Sequence, residues 1–165
     1  MINLKKIALK YPINMGAPEP IIVSVGFDLI LLYYVDLFDL SDVTDKLKER
    51  DIGNDVGVAI MKFKKRCIHK FGAPNDEVII GHPYYKLGLK PYSFFLINNS
   101  DWVNEIKRIE NHHPYFDEQM FDNLNHFIIT FKDNTFECIA EDYSIDYSIK
   151  TMKETFERVV KNINY

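Results

Sequence analysis

Two cysteines among 165 residues, Cys67 and Cys138, are too few for a disulfide framework, and they lack the CxxC spacing of a redox pair or zinc site. Neither GxGxxG nor GxxxxGK[ST] occurs, so no glycine-rich phosphate cradle is encoded. Without GxSxG there is no nucleophile elbow, and HExxH and HxH are missing too. Long apolar runs are equally scarce. The longest, Leu29 to Val35, falls far short of the ~20 residues that a bilayer-crossing helix needs. Met1 to Lys10 carries lysines but no uninterrupted apolar stretch, and no small-residue cleavage site follows, which argues against a secretory signal. Positive charge is in deficit: 20 basic against 24 acidic residues leave a net charge of −4, which disfavours a general nucleic-acid binder. These absences leave a soluble, cytoplasmic protein as the expectation.

What is present suits a packed core. Hydrophobic residues make up 47% of the chain and aromatics 14%, enough for one domain to bury roughly two-thirds of its unfolded surface. The pattern predicts a single α+β domain over 1–165, a mainly antiparallel β-sheet with two to three helices packed on it. Residues 1–20 read as an N-terminal strand and a proline-rich loop, 21–150 as the sheet with a helix inserted at 100–112, and 151–163 as a C-terminal helix. Ile21 to Val25 and Leu29 to Phe38 have the β-branched and aromatic content of a hairpin turning near Gly26.

Carboxylates recur every third residue from Asp36 to Asp45, without the alternate spacing and glycine of a calcium loop, so a solvated loop or short helix is expected. A turn at Gly53-Asn54-Asp55 precedes a strand over 56–68, on which Lys62, Lys64 and Arg66 share one face. That face suits solvent, and would also serve as an anion-binding stripe or a docking face for an acidic partner. Three prolines and three glycines make 71–91 a long ordered loop, with Val78, Ile79, Ile80, Leu87 and Leu89 as its buried anchors. Asn99 or Ser100 caps the inserted helix, whose apolar stripe is Trp102, Ile106 and Ile109. Phe116, Met120, Phe121 and Leu124 fit a further short helical turn. Thr151 and Glu154 form a capping box ahead of Met152, Phe156, Val159, Val160 and Ile163.

The segment from His126 to Ala140 reads as two strands around a tight turn. A two-residue turn at Asp133-Asn134 pairs Phe131 with Phe136, Ile129 with Cys138 and Phe127 with Ala140, all on one apolar face. The other face then pairs Thr130 with Glu137, Ile128 with Ile139 and His126 with Glu141. A slip of one residue would drive Glu137 among the phenylalanines. The apolar centre of the second face calls for a cover, either a helix or the 71–91 loop.

Chemistry-bearing residues are few. His82, His113 and His126 are the histidines able to converge on zinc or another divalent metal, with Glu137 or Glu141 as carboxylate ligand or base. Catalytic candidates are therefore His126, Glu137 and Glu141. Each histidine equally suits a structural role, satisfying a backbone group. Cys138, alternating with phenylalanines, reads as a core thiol. Residues 117–142 carry seven acidic side chains against the single Lys132. Asp117, Glu118 and Asp122, with Tyr84 and Tyr85 of the loop, are the candidate partner-binding residues.

Four segments, taken together, resemble a poorly characterised family of small bacterial α+β proteins. They are Phe71-Gly-Ala-Pro-Asn-Asp-Glu77, Gly81-His-Pro83, Asn99-Ser-Asp-Trp102 and the hairpin His126 to Ala140, matching FGxPNDE, GHP, NSxW and HFxxTFxDxTFECIA. The resemblance spans about residues 56–141. It departs at Lys132, where the family pattern has histidine, and it implies no activity. Two functions remain as the main expectations, beside a minor third, an intracellular small-molecule binder using the aromatic loop. One is a non-enzymatic protein-binding module of the bacterial immunity or antitoxin type, without a cofactor, that occludes another protein such as a basic toxin. The alternative is a metal-assisted hydrolase using the histidine cluster.

Overall fold

The computed structural model describes residues 1–36, 57–65 and 68–163. The expected segments at 37–45 and 51–56, Arg66 and Cys67 lie outside the described residues. Among the described residues the fold is α+β, with nine strands in two sheets and two α-helices. Strands expected to form one sheet form two. The chain divides into two compact units: Met1–Ala8 with Lys65–Asp142, and the described residues of Leu9–Lys64 with Tyr143–Tyr165.

The first unit is built on a five-stranded sheet ordered β1-β6-β7-β8-β5. Its strands are β1 (Asn3–Ile7), β5 (Ile68–Gly72), β6 (Ser93–Asn98), β7 (Asn125–Thr130) and β8 (Thr135–Ala140), all paired antiparallel. The second unit holds β2 (Ile21–Val25), β3 (Asp28–Tyr34), β4 (Val58–Lys64) and β9 (Asp142–Ser148), in that order. The strand expected over 56–68 is interrupted. Lys65 takes a φ of 48°, outside the strand region, and the chain passes from one sheet to the other there.

Helix α1 (Asp101–Glu110) starts at Ser100, whose Oγ accepts the Val103 N–H. Trp102 and Ile106 pack on Ile139, while Ile109, expected in the same stripe, is exposed. Helix α2 (Met152–Lys161) opens with the full Thr151–Glu154 capping box. Its Met152 and Val159, with Ile163 beyond it, pack on Val23, Ile30, Leu32, Val58 and Ile60. The turn expected near Met120 is a 3₁₀ turn over Glu118–Phe121. No helix among the described residues is long and apolar enough to cross a membrane.

The β7–β8 hairpin keeps its faces but shifts its register by two. His126 lies opposite Ile139, Phe127 opposite Cys138 and Ile129 opposite Phe136. The connection is the four-residue loop 131–134, closed by Phe131 N–H donating to Asn134 O at 2.8 Å. A two-residue type I′ turn needs positive φ at both central residues, and neither Asp133 nor Asn134 takes one. Because the side-chain period is two, a shift of two leaves every residue on its expected face. Only the neighbours change.

On one face of this sheet Phe94, Phe127, Ile129, Phe136 and Cys138 are buried. On the other, α1 covers Ile139, and the 71–91 loop covers Phe95, Ile97 and Ile128 through Ile79 and Leu89. Both expected covers are present, side by side.

Candidate functional site

Between those two covers, an otherwise apolar face carries a buried polar cluster. His126 of β7 is 1% exposed. Its diagonal neighbour on β8 is Glu137, and Nε2 meets Glu137 Oε2 at 2.8 Å. On the far side of the ring, Nδ1 lies 2.8 Å from Ser100 Oγ. The Glu137 carboxylate only accepts, so Nε2 donates to it, and in the neutral ring Nδ1 is then the acceptor of the Ser100 hydroxyl. That arrangement leaves the His126 proton on Nε2, donated to Glu137. Trp102 of α1 and Tyr84 of the loop meet the imidazole edge-on, at centroid distances of 5.0 and 6.0 Å.

The loop brings a second imidazole to the same carboxylate. His82 follows a 3₁₀ turn over Ile79–Gly81, and its Nε2 stands 3.7 Å from Glu137 Oε1. Its Nδ1 accepts the Tyr84 N–H at 3.2 Å, which fixes the neutral ring with its proton on Nε2. Lys70, directly across from Glu137 on β5, places its ammonium over the Trp102 ring at 3.8 Å. Burial alone would raise the Glu137 pKa. The hydrogen bond from His126 and the His82 Nε2–H at 3.7 Å, with the positive charges of Lys70 and of the His126 ring when it is protonated, outweigh it and hold the carboxyl at about 2. Tyr84 is pushed up from 10.0, first by burial and then by the negative charges of Glu137 and Asp101, against an opposing Ser100 hydrogen bond.

The loop is tied down elsewhere as well. Asp76 N–H donates to Lys132 O, Thr135 Oγ1 donates to Pro74 O, and Tyr92 Oη donates to Asp76 Oδ2 at 2.9 Å. Partial burial and the Asp76 carboxylate push the Tyr92 pKa up to about 12.

The structure thus joins His82, His126 and Glu137, and separates the remaining candidates. Glu141, expected to meet His126, instead pairs with Lys65 at 2.9 Å, the direct result of the two-residue register shift. His113 lies in the exposed turn after α1, accepting the Tyr115 N–H. Glu118 is engaged by Lys107, which holds its carboxyl below the usual range, and Asp117 caps Gln119. Asp122 and Tyr85 are exposed, whereas Tyr84 is half-buried in the cluster. Ser100 and Trp102 were legible only as a cap and a residue of an apolar stripe, and Lys70 carried no signal. The signal that unites them is the diagonal His126–Glu137 pair, hidden until the loop length is known.

No group of three or more His, Cys, Asp or Glu among the described residues has an arrangement that would hold a metal ion. His82, His126 and Glu137 come nearest, but a proton on His82 Nε2 blocks the lone pair a metal would need. As it stands the cluster is a satisfied buried network, an anion clasped by two imidazoles, which rigidifies what it joins. What it joins is the 71–91 loop, helix α1 and strands β7 and β8. Compared with protein-family models, curated proteins and solved structures, the chain gives no significant match.

Proposed function

We propose that this chain is a non-enzymatic protein-binding module of the immunity or antitoxin type, docking through the outer side of the 71–91 loop. One observation carries the reading. Val78, Ile80, Tyr85 and Leu87 are 57, 69, 39 and 45% exposed, although three of them were expected as buried anchors. They alternate with residues that are held firmly: Ile79 and Leu89 in the core, His82 on Glu137. Exposed apolar side chains grouped on one segment mark an interaction surface more often than scattered ones do. A backbone fixed before binding avoids the entropy cost of ordering a mobile loop. The partner is therefore another protein with an apolar groove.

The test replaces Ile80→Asp with Leu87→Asp, and compares capture from host extract by the wild-type and doubly substituted chains. A partner that is lost with the variant, and binds the purified wild-type chain stoichiometrically, supports the reading. Melting of the variant should stay close to wild type, since both side chains face water. Equal capture by both chains sinks the proposal.

The convergence of both Nε2 atoms on Glu137 favours a second reading, a metal-assisted hydrolase using His82, His126 and Glu137. It requires both the His82 and the His126 ring to give up the proton on Nε2. Stoichiometric zinc, iron or manganese in the purified protein would favour it over docking.

A further inference from the structure

Strand β2 ends the second unit's sheet, and among the described residues its only paired neighbour is β3. The turn Gly26-Phe27 closes the β2–β3 hairpin at Val25 opposite Asp28. A pair closed by a two-residue turn exchanges both hydrogen bonds, and bonded and non-bonded pairs then alternate along the ladder. Val25, Val23 and Ile21 therefore direct their backbone groups to β3. Ile22 and Ser24 aim both N–H and C=O the other way, along an edge that no other described strand pairs.

An open edge invites foreign strands, and charged side chains discourage them. The other edges carry such charges: Lys5 and Lys6 on β1, Lys70 on β5, Asp142 and Asp146 on β9. Strand β2, Ile21-Ile-Val-Ser-Val25, has none, and every residue but Ser24 is β-branched. Its Ile21 and Val25 are half-buried against the cluster of Val23, Ile30, Leu32, Met152 and Val159, so the aliphatic layer packed on α2 runs out to this edge.

The occupant must be an uncharged strand with aliphatic side chains, and β2 itself meets that description. Glu19, with a φ of 40°, and Gly26, with a φ of 54°, leave the strand region at its two ends, so the pairing segment is Ile21–Val25. Full antiparallel overlap about a twofold axis sets Val23 opposite its own counterpart, Ile21 opposite Val25, and Ile22 opposite Ser24. Outward groups then meet outward groups, each Ile22–Ser24 pair exchanging both of its N–H···O bonds. On the α2 side aliphatic side chains meet only aliphatic ones. A slip of one residue sets outward groups against inward ones. A slip of two brings in Pro20, which has no N–H, or the turn residue Gly26.

We propose that two copies of this chain join through β2 in this register, extending one sheet across the twofold axis. The proposal is independent of the docking loop, which belongs to the other unit.

Sedimentation equilibrium of the full chain, with amide hydrogen exchange at two concentrations, tests it. The chain should pass from monomer to dimer with a Kd of about 100 μM, as a single paired edge below the standard interface size should give. The Ile22 and Ser24 amides should exchange several-fold more slowly at about 1 mM than at about 10 μM, while the amides of edge β1 should not change. Ser24→Pro removes an outward N–H, a change that strand edges tolerate, so it should melt near the wild type and raise the Kd more than tenfold. Should that variant melt early, the exchange of the wild type decides alone. The chain with Ile80→Asp and Leu87→Asp should dimerise as the wild type does. A monomer at millimolar concentration overturns the proposal, as does a dimer that survives Ser24→Pro. Slow exchange of Ile22 and Ser24 that ignores concentration overturns it too, since the chain would then cover its own edge.

Discussion

His126 and Glu137 sit diagonally across β7 and β8, joined Nε2 to Oε2 at 2.8 Å inside an otherwise aliphatic and aromatic layer. Their partners extend the pair to Ser100 on one side and His82 on the other. A buried charge is tolerated when every neighbour is satisfied, and becomes costly when one is removed. Glu137 is the shared acceptor, so it is the residue on which the network depends.

Glu137→Gln should therefore destabilise the protein by about 3 kcal/mol, the scale for breaking a buried ionic partnership. The amide keeps the shape but cannot accept from both imidazoles as an anion does. Urea unfolding of the two proteins measures this. Glu141→Gln is the control, since its pair with Lys65 is solvent-facing and should be worth under about 1 kcal/mol. Equal losses for the two substitutions would contradict the assignment of Glu137 as the centre.

Acid should act through the same carboxyl. Its folded pKa of about 2 lies below the ordinary 4.5, so in that window the unfolded chain binds the extra proton and stability rises with pH. The contribution is complete above about pH 4.5 and is lost as pH falls through about 2. It amounts to about 3 kcal/mol. Urea midpoints at pH 6, 4 and 2.5 should fall steeply for the wild type and more gently for Glu137→Gln. Parallel slopes would remove Glu137 as the cause.

Much of this was legible beforehand, for identifiable reasons. Period-two patterning placed His126 and Glu137 on one face, and that face survived a register shift of two. Capping residues located both helix starts, at Asn99 or Ser100, where the structure has Ser100, and at Thr151. Loop geometry was not legible: whether Asp133-Asn134 forms a two- or four-residue connection depends on tertiary contacts such as Asp76 N–H to Lys132 O. That single uncertainty exchanged Glu141 for Glu137 as the partner of His126. Apolar residues of 71–91 were equally ambiguous, because an aliphatic side chain in a loop is anchor or docking contact according to which side of the backbone it leaves. The division into two sheets was not legible either: the strand that ends at Lys64 stops where Lys65 takes a positive φ, a conformation that lysine does not advertise.

Gly57 is a position where close approach requires glycine. Its φ is +127°, and a Cβ built there would overlap the hydroxyl and ring of Tyr147. Gly57→Ala should cost about 3 kcal/mol or more, from backbone strain and steric conflict together. Tyr147→Ala should relieve the steric part only. In a double-mutant cycle the alanine at 57 should thus cost less in the Tyr147→Ala background, by at least about 1 kcal/mol. Strict additivity would show that the tyrosine plays no part.

The tautomers of the two buried histidines separate the docking and metal readings. His82 Nδ1 accepts a backbone N–H, and His126 Nε2 faces a carboxylate that only accepts, so both neutral rings should carry their proton on Nε2. Long-range ¹H–¹⁵N spectra distinguish the two nitrogens directly. Two Nε2–H rings at pH 8, unchanged when zinc is added, are the outcome expected from this geometry. Ser100→Ala should then perturb the His126 Nδ1 resonance while leaving His82 in place. Loss of the Nε2 proton from both rings on adding zinc would mean that the imidazoles turn to ligate, and the hydrolase reading would replace the docking one.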